Sequence, residues 1–587
     1  MNTFHFGPDL TSSGVRFRLW APAAKQVELL LERPRRMDAH DDGWHTLMVP
    51  DARASTRYKF RVDGEVEVPD PASEYQPEDV SGPSEVIDHA AYLWRVTDWR
   101  GRPWESAAIL ELHVGTFTPA GTFRAAIDKL DHVVDAGFTA IELMPVAEFS
   151  GRRNWGYDGV LLFAPDSAYG RPEDLKALID AAHQRGLMVF LDVVYNHFGP
   201  EGNYLGRYAP QFFTAARTPW GNAIDYRVPQ VRAFAIENAL HWITNYRFDG
   251  LRLDAVHAIT QAGEPHMLVD LSRAVGARAQ ELGRQVHLVL ENDDNRASLL
   301  DPLSAPPRGK YRAQWNDDYH HAWHVKLTGE THGYYTDYRE QPLQQIARVL
   351  GSGFVYQGEP SAHRSGERRG EPSGHLPPEA FINFLQNHDQ IGNRPFGDRL
   401  TKQADPHALK AALAIMLLAP MPPLMFMGEE WGATTPFPFF CDFTGQLAEA
   451  VRKGRREEFK AAYATHADEV PDPLTEETFR SAVLNWSACR EPDGRRRLDL
   501  VRELLTVRRQ EIVPRIAKSS FASAAADGDL LEATWSVGHG ETLSLQANLG
   551  GTSIGNLRPA TGARPIWGGP APARLRPWSV FWAIGAP

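Results

Sequence analysis

Residues 172–197 read PEDLKALIDAAHQRGLMVFLDVVYNH, and the fold turns on how this stretch is parsed. Pro172 suits the first turn of a helix, Leu175, Leu178, Ile179 and Ala182 form one apolar stripe at helical spacing, and Gly186 ends it. Beyond the glycine the period changes. Leu187–Val194 is apolar on both faces apart from Asp192, as expected for a strand covered on both sides, and it runs into the polar Tyr195-Asn196-His197. A helix feeding a doubly buried strand is half of a parallel β/α unit.

The same alternation extends in both directions. Upstream, strands over Ala108–Val114 and Ala140–Val146 flank a helix over Phe123–Ala136. Downstream come a helix over Val231–Tyr246, a strand over Gly250–Val256, a helix over Leu268–Leu282 and a strand over Val286–Glu291. Arg312–Trp315 (strand), Pro342–Leu350 (helix), Phe381–Leu385 (strand), His407–Ala419 (helix), Leu424–Met427 (strand) and Leu498–Gln510 (helix) complete eight rounds. The fold class is therefore α/β, with a central (β/α)₈ TIM barrel and large loop insertions. Periodicity alone leaves a doubly wound open sheet as the alternative. The Gly/Arg/Pro-rich stretch Gly358–Pro378 reads as an exposed loop.

On either side of the barrel the pattern has period 2. Val15, Phe17 and Leu19 alternate with Arg16 and Arg18, and Tyr58, Phe60 and Val62 with Lys59 and Arg61. Near the other end Leu531, Ala533, Trp535 and Val537 alternate, then Leu543, Leu545 and Ala547, with a last apolar run over Trp578–Ile584. Three units are expected: a β-sandwich over residues 1–100, the barrel over 101–515 and an antiparallel β-domain over 516–587. A chain of 587 residues exceeds the size of a single core and accommodates all three.

Composition narrows the function. The chain is 43% hydrophobic and 23% charged, with a net charge of −12 and both signs interspersed, so it lacks the clustered cations of a nucleic-acid binder. Sixteen Trp and 17 Tyr supply flat faces suited to carbohydrate rings, although most aromatic side chains fill cores. Two cysteines, Cys441 and Cys489, are too few for a disulfide scaffold. The opening residues carry no basic and apolar leader, and the longest apolar run, Ala411–Pro420, is far shorter than the roughly 20 residues of a membrane span. A cytoplasmic protein without membrane attachment is expected; oligomeric state is left open.

Four predicted strands end in polar clusters: DVVYNH at 192–197, GLRLDAVH at 250–257, LVLENDD at 288–294 and LQNHD at 385–389. A barrel carries its active site at these C-terminal strand ends. One such cluster reads equally well as a structural ion pair or a loop cap. Four at one end of a barrel place several carboxylates where burial is costly unless they are paired or used. Glycoside cleavage needs two carboxyl groups, one to protonate the leaving oxygen and one to attack or position water. Arg252 and Asp254 lie on one face of their strand, and the guanidinium favours an ionised, nucleophilic Asp254. Glu291 follows an apolar run, a setting that raises a carboxyl toward the behaviour of a general acid. Asp389, beside His388, suits binding of sugar hydroxyls in the transition state.

In order and spacing these segments resemble the four signature regions of the α-amylase superfamily (glycoside hydrolase family 13). The resemblance implies a retaining mechanism with Asp254 as nucleophile, Glu291 as acid/base and Asp389 as transition-state stabiliser. It implies that His197, Arg252 and His388 hold the reacting sugar, that Tyr157 stacks under it, and that His257 faces the leaving-group side. Three further stretches, EFSGRRNWGYDG at 148–159, QWNDDYHH at 314–321 and QNHDQIGN at 386–393, are similar to the maltooligosyltrehalose trehalohydrolases within that superfamily. Such an enzyme cleaves the α-1,4 bond next to the terminal trehalose of maltooligosyl trehalose, and trehalose biosynthesis would be its setting. Trp315, Asn316 and Asp317 would then shape the side on which trehalose sits. Asn196 matches a calcium-binding position of many amylases, but sandwich-bearing relatives often lack that ion, so neither metal nor cofactor is expected. The expected partner is maltooligosyl trehalose or a related α-glucan oligosaccharide. The alternatives are a 1,4-α-glucan branching enzyme, an α-1,6 debranching hydrolase, and a non-catalytic glucan-binding scaffold, which would have lost one of the three carboxylates.

Overall fold

Eight short parallel strands form the centre of the molecule: β1 (Ile109–Leu112), β2 (Ala140–Leu143), β3 (Met188–Val193), β4 (Gly250–Leu253), β5 (His287–Leu290), β6 (Ala313–Trp315), β7 (Phe381–Ile382) and β8 (Leu424–Phe426). They pair in the order β7-β6-β5-β4-β3-β2-β1-β8, and a parallel bridge from Asn383 to Pro423 closes the ring. This is the closed barrel, and the open sheet is excluded. The computed structural model describes residues 6–218, 220–300, 311–460, 470–555 and 562–586. Residues 1–5 of the stretch read for a leader lie outside them. Among the described residues no helix is long and apolar enough to cross a membrane.

The helices form where the sequence carries their signals. Helix α1 (Pro172–Gln184) starts on Pro172, with Asp174 accepting the Arg171 N–H at 2.9 Å, and buries Leu175, Leu178, Ile179 and Ala182. Helices α2 (Pro229–Asn245), α3 (Met267–Leu282), α4 (Asp317–Thr328), α5 (Pro342–Ser352), α6 (Pro406–Leu418) and α7 (Pro492–Val507) continue the outer ring. At the N-terminal face of the barrel, Trp104 plugs the interior against Ile109, Phe190 and Leu424, and its indole N–H reaches the Glu379 carbonyl at 2.8 Å.

Two expectations need correction. The helix over Phe123–Ala136 is broken into Phe123–Ile127 and Leu130–Ala136 by a turn at Asp128 and Lys129, whose ψ angles of −11° and −6° fall short of the helical value. Gly358–Pro378 is not a free loop. Glu359–Pro360 pairs with Arg368–Arg369 as a small hairpin, and Arg369 is 4% exposed because its guanidinium meets Asp318 at 2.9 Å and Asp293 at 2.8 Å. Composition identified the charges, but their pairing within the protein is a tertiary property.

The flanking β-structure follows its alternation. Before the barrel, one sheet contains Gly14–Trp20 and Trp44–Val49 and another contains Val27–Leu30 and Arg57–Val62. They meet through buried Phe17 and Tyr58, whose rings are 4.7 Å apart. After it, five antiparallel strands run from Ser520–Asp527 to Ser579–Gly585. Trp535 and Trp582 of this sheet stack at 5.6 Å, and their indole N–H groups donate to the carbonyls of Leu350 on α5 and Ala414 on α6.

Candidate active site

Arg252 organises the C-terminal mouth of the barrel. It pairs across the sheet with Asp192 of β3 and Val289 of β5, so its side chain rises among the carboxylates at neighbouring strand ends. One nitrogen meets Asp192 at 2.5 Å and Asp254 at 3.0 Å, and the other meets Glu291 at 2.9 Å. The guanidinium lies 4.0 Å over the ring of Trp315, which covers its lower face. One buried cation thus serves three carboxylates. That balance cannot hold every proton off.

The two central acids differ in their donors. Asp254 accepts Arg252 on Oδ1 and the Asn196 amide on Oδ2 at 2.7 Å. Glu291 accepts the backbone N–H of Ala255 at 2.7 Å. Ala255 presents that N–H from a left-handed conformation, φ 40°, which a non-glycine residue holds only under constraint from its surroundings. Burial lifts both carboxyls above their ordinary values, and Arg252 opposes the rise in each. For Asp254 the desolvation outweighs the guanidinium, so Arg252 alone does not guarantee its ionisation as the sequence implied. Each acid has two donors, Arg252 with Asn196 for Asp254 and Arg252 with the Ala255 N–H for Glu291, so the two titrate as a pair around one cation.

Opposite this pair stands His388. Its Nδ1 and its backbone N–H both meet the Glu111 carboxylate of β1. Burial works against a charged imidazole, but Glu111 overrides it and lifts His388 above its ordinary value. Tyr157 stacks on His388 at 5.2 Å and 23° and donates its hydroxyl to Asp192 at 2.6 Å. Gly156 permits that placement: its φ is +105°, and a side chain there would meet the Pro145 carbonyl at 2.0 Å. Asp389 sits on a short helix, His388–Gly392, built by reciprocal bonds between Asn387 and Gln390, and Asn393 donates to its Oδ1 at 2.7 Å.

Asp254, Glu291, Asp389, Arg252, His388 and Tyr157 therefore come together. His197 lies beside them, but both its ring nitrogens are engaged within the protein, with Asn196 and with the Tyr157 carbonyl, and its face stacks on half-exposed Trp220. His257 is exposed on the turn after β4, 3.4 Å from the Asp293 N–H. Of the three residues expected on the trehalose side, only Asp317 reaches the cleft, which it lines with Glu291, Asp293, His321, Tyr334 and Asp389. Burial and the negative neighbours Glu291 and Asp293 push Asp317 well above the ordinary carboxyl range. Trp315 and Asn316 are not cleft residues. Trp315 is the floor under Arg252, and Asn316 is fully buried, donating to Gly353 and Asn383.

Sequence reasoning missed Glu111, Glu142 and the role of Asn196. Glu111 and Glu142 each interrupt an otherwise apolar, doubly buried strand, and that interruption is the signal by which they could have been found. Neither oxygen of buried Glu142 has a hydrogen-bond partner among the described residues, and burial beside Glu111 and Asp192 pushes it well above the ordinary range. Burial therefore favours its protonated form.

Comparison with known proteins agrees with this architecture. Residues 104–211 match the family model described as alpha amylase, catalytic domain. Residues 4–75 match carbohydrate-binding module 48 (isoamylase N-terminal domain), and 519–582 match a domain of unknown function. The malto-oligosyltrehalose trehalohydrolase of Deinococcus radiodurans is 42% identical over 92% of this chain and 88% of its own. That of Rhizobium sp. is 41% identical over 88% and 87%. A crystal structure described as an alpha amylase from Salmonella typhimurium superposes with a TM-score of 0.93 at 44% identity, covering 99% of both chains. A Paenibacillus barengoltzii pullulanase, at 20% identity and a TM-score of 0.74, shares the fold. With this identity sustained along nearly the whole length, the chain belongs to the malto-oligosyltrehalose trehalohydrolase family of α-amylase-type glycoside hydrolases.

Proposed function

We propose that this enzyme hydrolyses the α-1,4-glucosidic bond next to the terminal trehalose of maltooligosyl trehalose, with retention at the cleaved carbon. Glu291 holds the proton that passes to the glycosidic oxygen, and trehalose departs. Asp254 attacks the anomeric carbon from the opposite face and forms a glycosyl ester. Glu291, now a carboxylate, takes a proton from water, whose oxygen displaces Asp254 and completes the second inversion. Asp389 and His388 hold sugar hydroxyls as positive charge grows on the ring, and the Tyr157 ring supports its face. The carrying observation is that the two terminal nitrogens of one guanidinium, Arg252, hold Asp254 at 3.0 Å and Glu291 at 2.9 Å, so the two carboxyls face each other across a single buried cation. Carboxyls gathered on one guanidinium support the roughly 5–5.5 Å separation of a retaining pair over the about 6.5–9.5 Å of an inverting one.

The chain would act through three units, 1–100, 101–515 and 516–587, with the chemistry confined to the second. The deciding experiment supplies maltotriosyl trehalose and, separately, maltopentaose, and follows products by chromatography. Rapid release of trehalose from the first with slow attack on the second is expected. Equal cutting of both, or longer branched products, would move the protein to a general amylase or a branching enzyme while leaving the carboxylates in their roles.

A further inference from the structure

Away from the cleft, three metal-competent side chains converge where the N-terminal β-structure meets the barrel. Glu74 and His89 come from the segment leading out of the sandwich, and His241 from barrel helix α2. One ligand atom from each lies within 4.8 Å of the others. His89 Nε2 is 3.3 Å and His241 Nδ1 is 3.9 Å from the same Glu74 oxygen. Zinc bound at about 2.0–2.1 Å by tetrahedral ligands holds those ligands about 3.4 Å apart, so these spacings need little adjustment.

The surrounding contacts orient the donors. His241 Nε2 lies 3.0 Å from the Phe163 carbonyl, which can only accept, so Nε2 carries the hydrogen and Nδ1 offers its lone pair. Asn245 donates to that lone pair at 3.0 Å, a contact an ion would displace. Both ring nitrogens of His89 are out of solvent reach and without a hydrogen-bond partner, as is the hydroxyl of Tyr246, whose ring packs 5.4 Å from each histidine. A buried polar ring with neither nitrogen satisfied calls for an explanation.

We infer that Glu74, His89 and His241 form a three-ligand site for Zn²⁺, with water in the fourth position, clamping the sandwich exit to the barrel. Two imidazoles and one carboxylate favour zinc over calcium or magnesium, which prefer all-oxygen shells. Protonation is compatible. Burial holds His89 and His241 down at about 3, so both are neutral near pH 7, whereas it lifts Glu74 to about 7, and a bound dication would draw off that proton. The charged groups facing the cluster are Lys176, Glu173 and Asp88. Lys176 is tied to the His89 carbonyl at 3.1 Å; burial lowers its amine to about 8, so it remains a cation near pH 7, with Glu173 and Asp88 facing it.

The test uses the intact protein stripped with EDTA and titrated with ZnCl₂, and in parallel with CoCl₂. One equivalent of Zn²⁺ per chain, a raised unfolding temperature and the visible absorption of four-coordinate Co²⁺ are expected. His89→Gln and His241→Asn should each abolish the cobalt signal and lose more affinity than the roughly 10–100-fold that removal of an outer partner costs. Should one variant fail to fold, the other and the wild-type cobalt spectrum still decide. No stoichiometric ion, an octahedral cobalt spectrum, or unchanged binding in either folded variant would overturn the inference.

Discussion

At the scale of single residues, proton location separates groups that look alike in sequence. Glu291→Gln removes the acid and should lower kcat on the order of 10²–10⁴-fold. Asp254→Asn removes the nucleophile and should cost about 10⁴-fold or more, with circular dichroism unchanged for both variants. Near-normal turnover by either would reassign that residue. Glu111 and Glu142 make a sharper contrast. Glu111 raises His388, so Glu111→Gln should lower the imidazole's proton affinity and shift the alkaline fall of kcat/KM toward lower pH. Burial favours the neutral form of Glu142, which has no hydrogen-bond partner among the described residues, so Glu142→Gln should leave that limb where it is. Two pH profiles, measured with the same substrate, check both statements.

At the scale of elements, legibility followed burial chemistry. The strands declared themselves because they are apolar on both faces, and the site because Asp254, Glu291 and Asp389 break that pattern at strand ends. Helix α4 did not, because its buried face is polar: His320 bonds the Leu385 carbonyl and Tyr335, and His324 bonds Glu330 at 2.8 Å. A stripe of satisfied histidines lacks the apolar period that marks the other helices, and the resemblance that placed Trp315 and Asn316 on the trehalose side carries no information on which way those side chains turn. The opposite end of the barrel has its own such element. Asp249, just before β4, accepts from Trp99 at 2.7 Å, His183 at 2.9 Å, Arg284 at 3.0 Å and the Val189 N–H at 2.9 Å. Burial alone would raise it, but His183 and Arg284 outweigh burial and the net shift is downward. A depressed folded value means stability that is present above the unfolded value of about 3.9 and lost as pH falls through the folded one. Asp249→Asn should therefore flatten acid unfolding and cost about 3–5 kcal/mol near neutrality, without moving KM, since the site lies at the far face. Urea titrations at neutral and acid pH would show it.

At the scale of the whole molecule, the question is whether the parts fold as one. The C-terminal sheet does not simply follow the barrel in sequence. Trp535 and Trp582 are fully buried, stack on one another, and anchor to carbonyls at α5 and α6. Arg508, where α7 ends, is 2% exposed and donates to the carbonyls of Ala419 and Met421, tying the last barrel helix to the turn that enters β8. An interface of interdigitated indoles with satisfied N–H groups resembles a domain core more than a hinge. The sheet and the barrel should then unfold together. Trp582→Ala removes a large fully buried ring together with its hydrogen bond to the Ala414 carbonyl and should cost about 3–5 kcal/mol. If the coupling is tight, calorimetry of the variant gives one transition at a lower temperature, and trehalose release below that temperature keeps the wild-type kcat. Were the sheet an independent domain, the variant would show two transitions with the barrel's own midpoint unmoved, and the indole anchors would then be contacts without thermodynamic consequence for the catalytic unit.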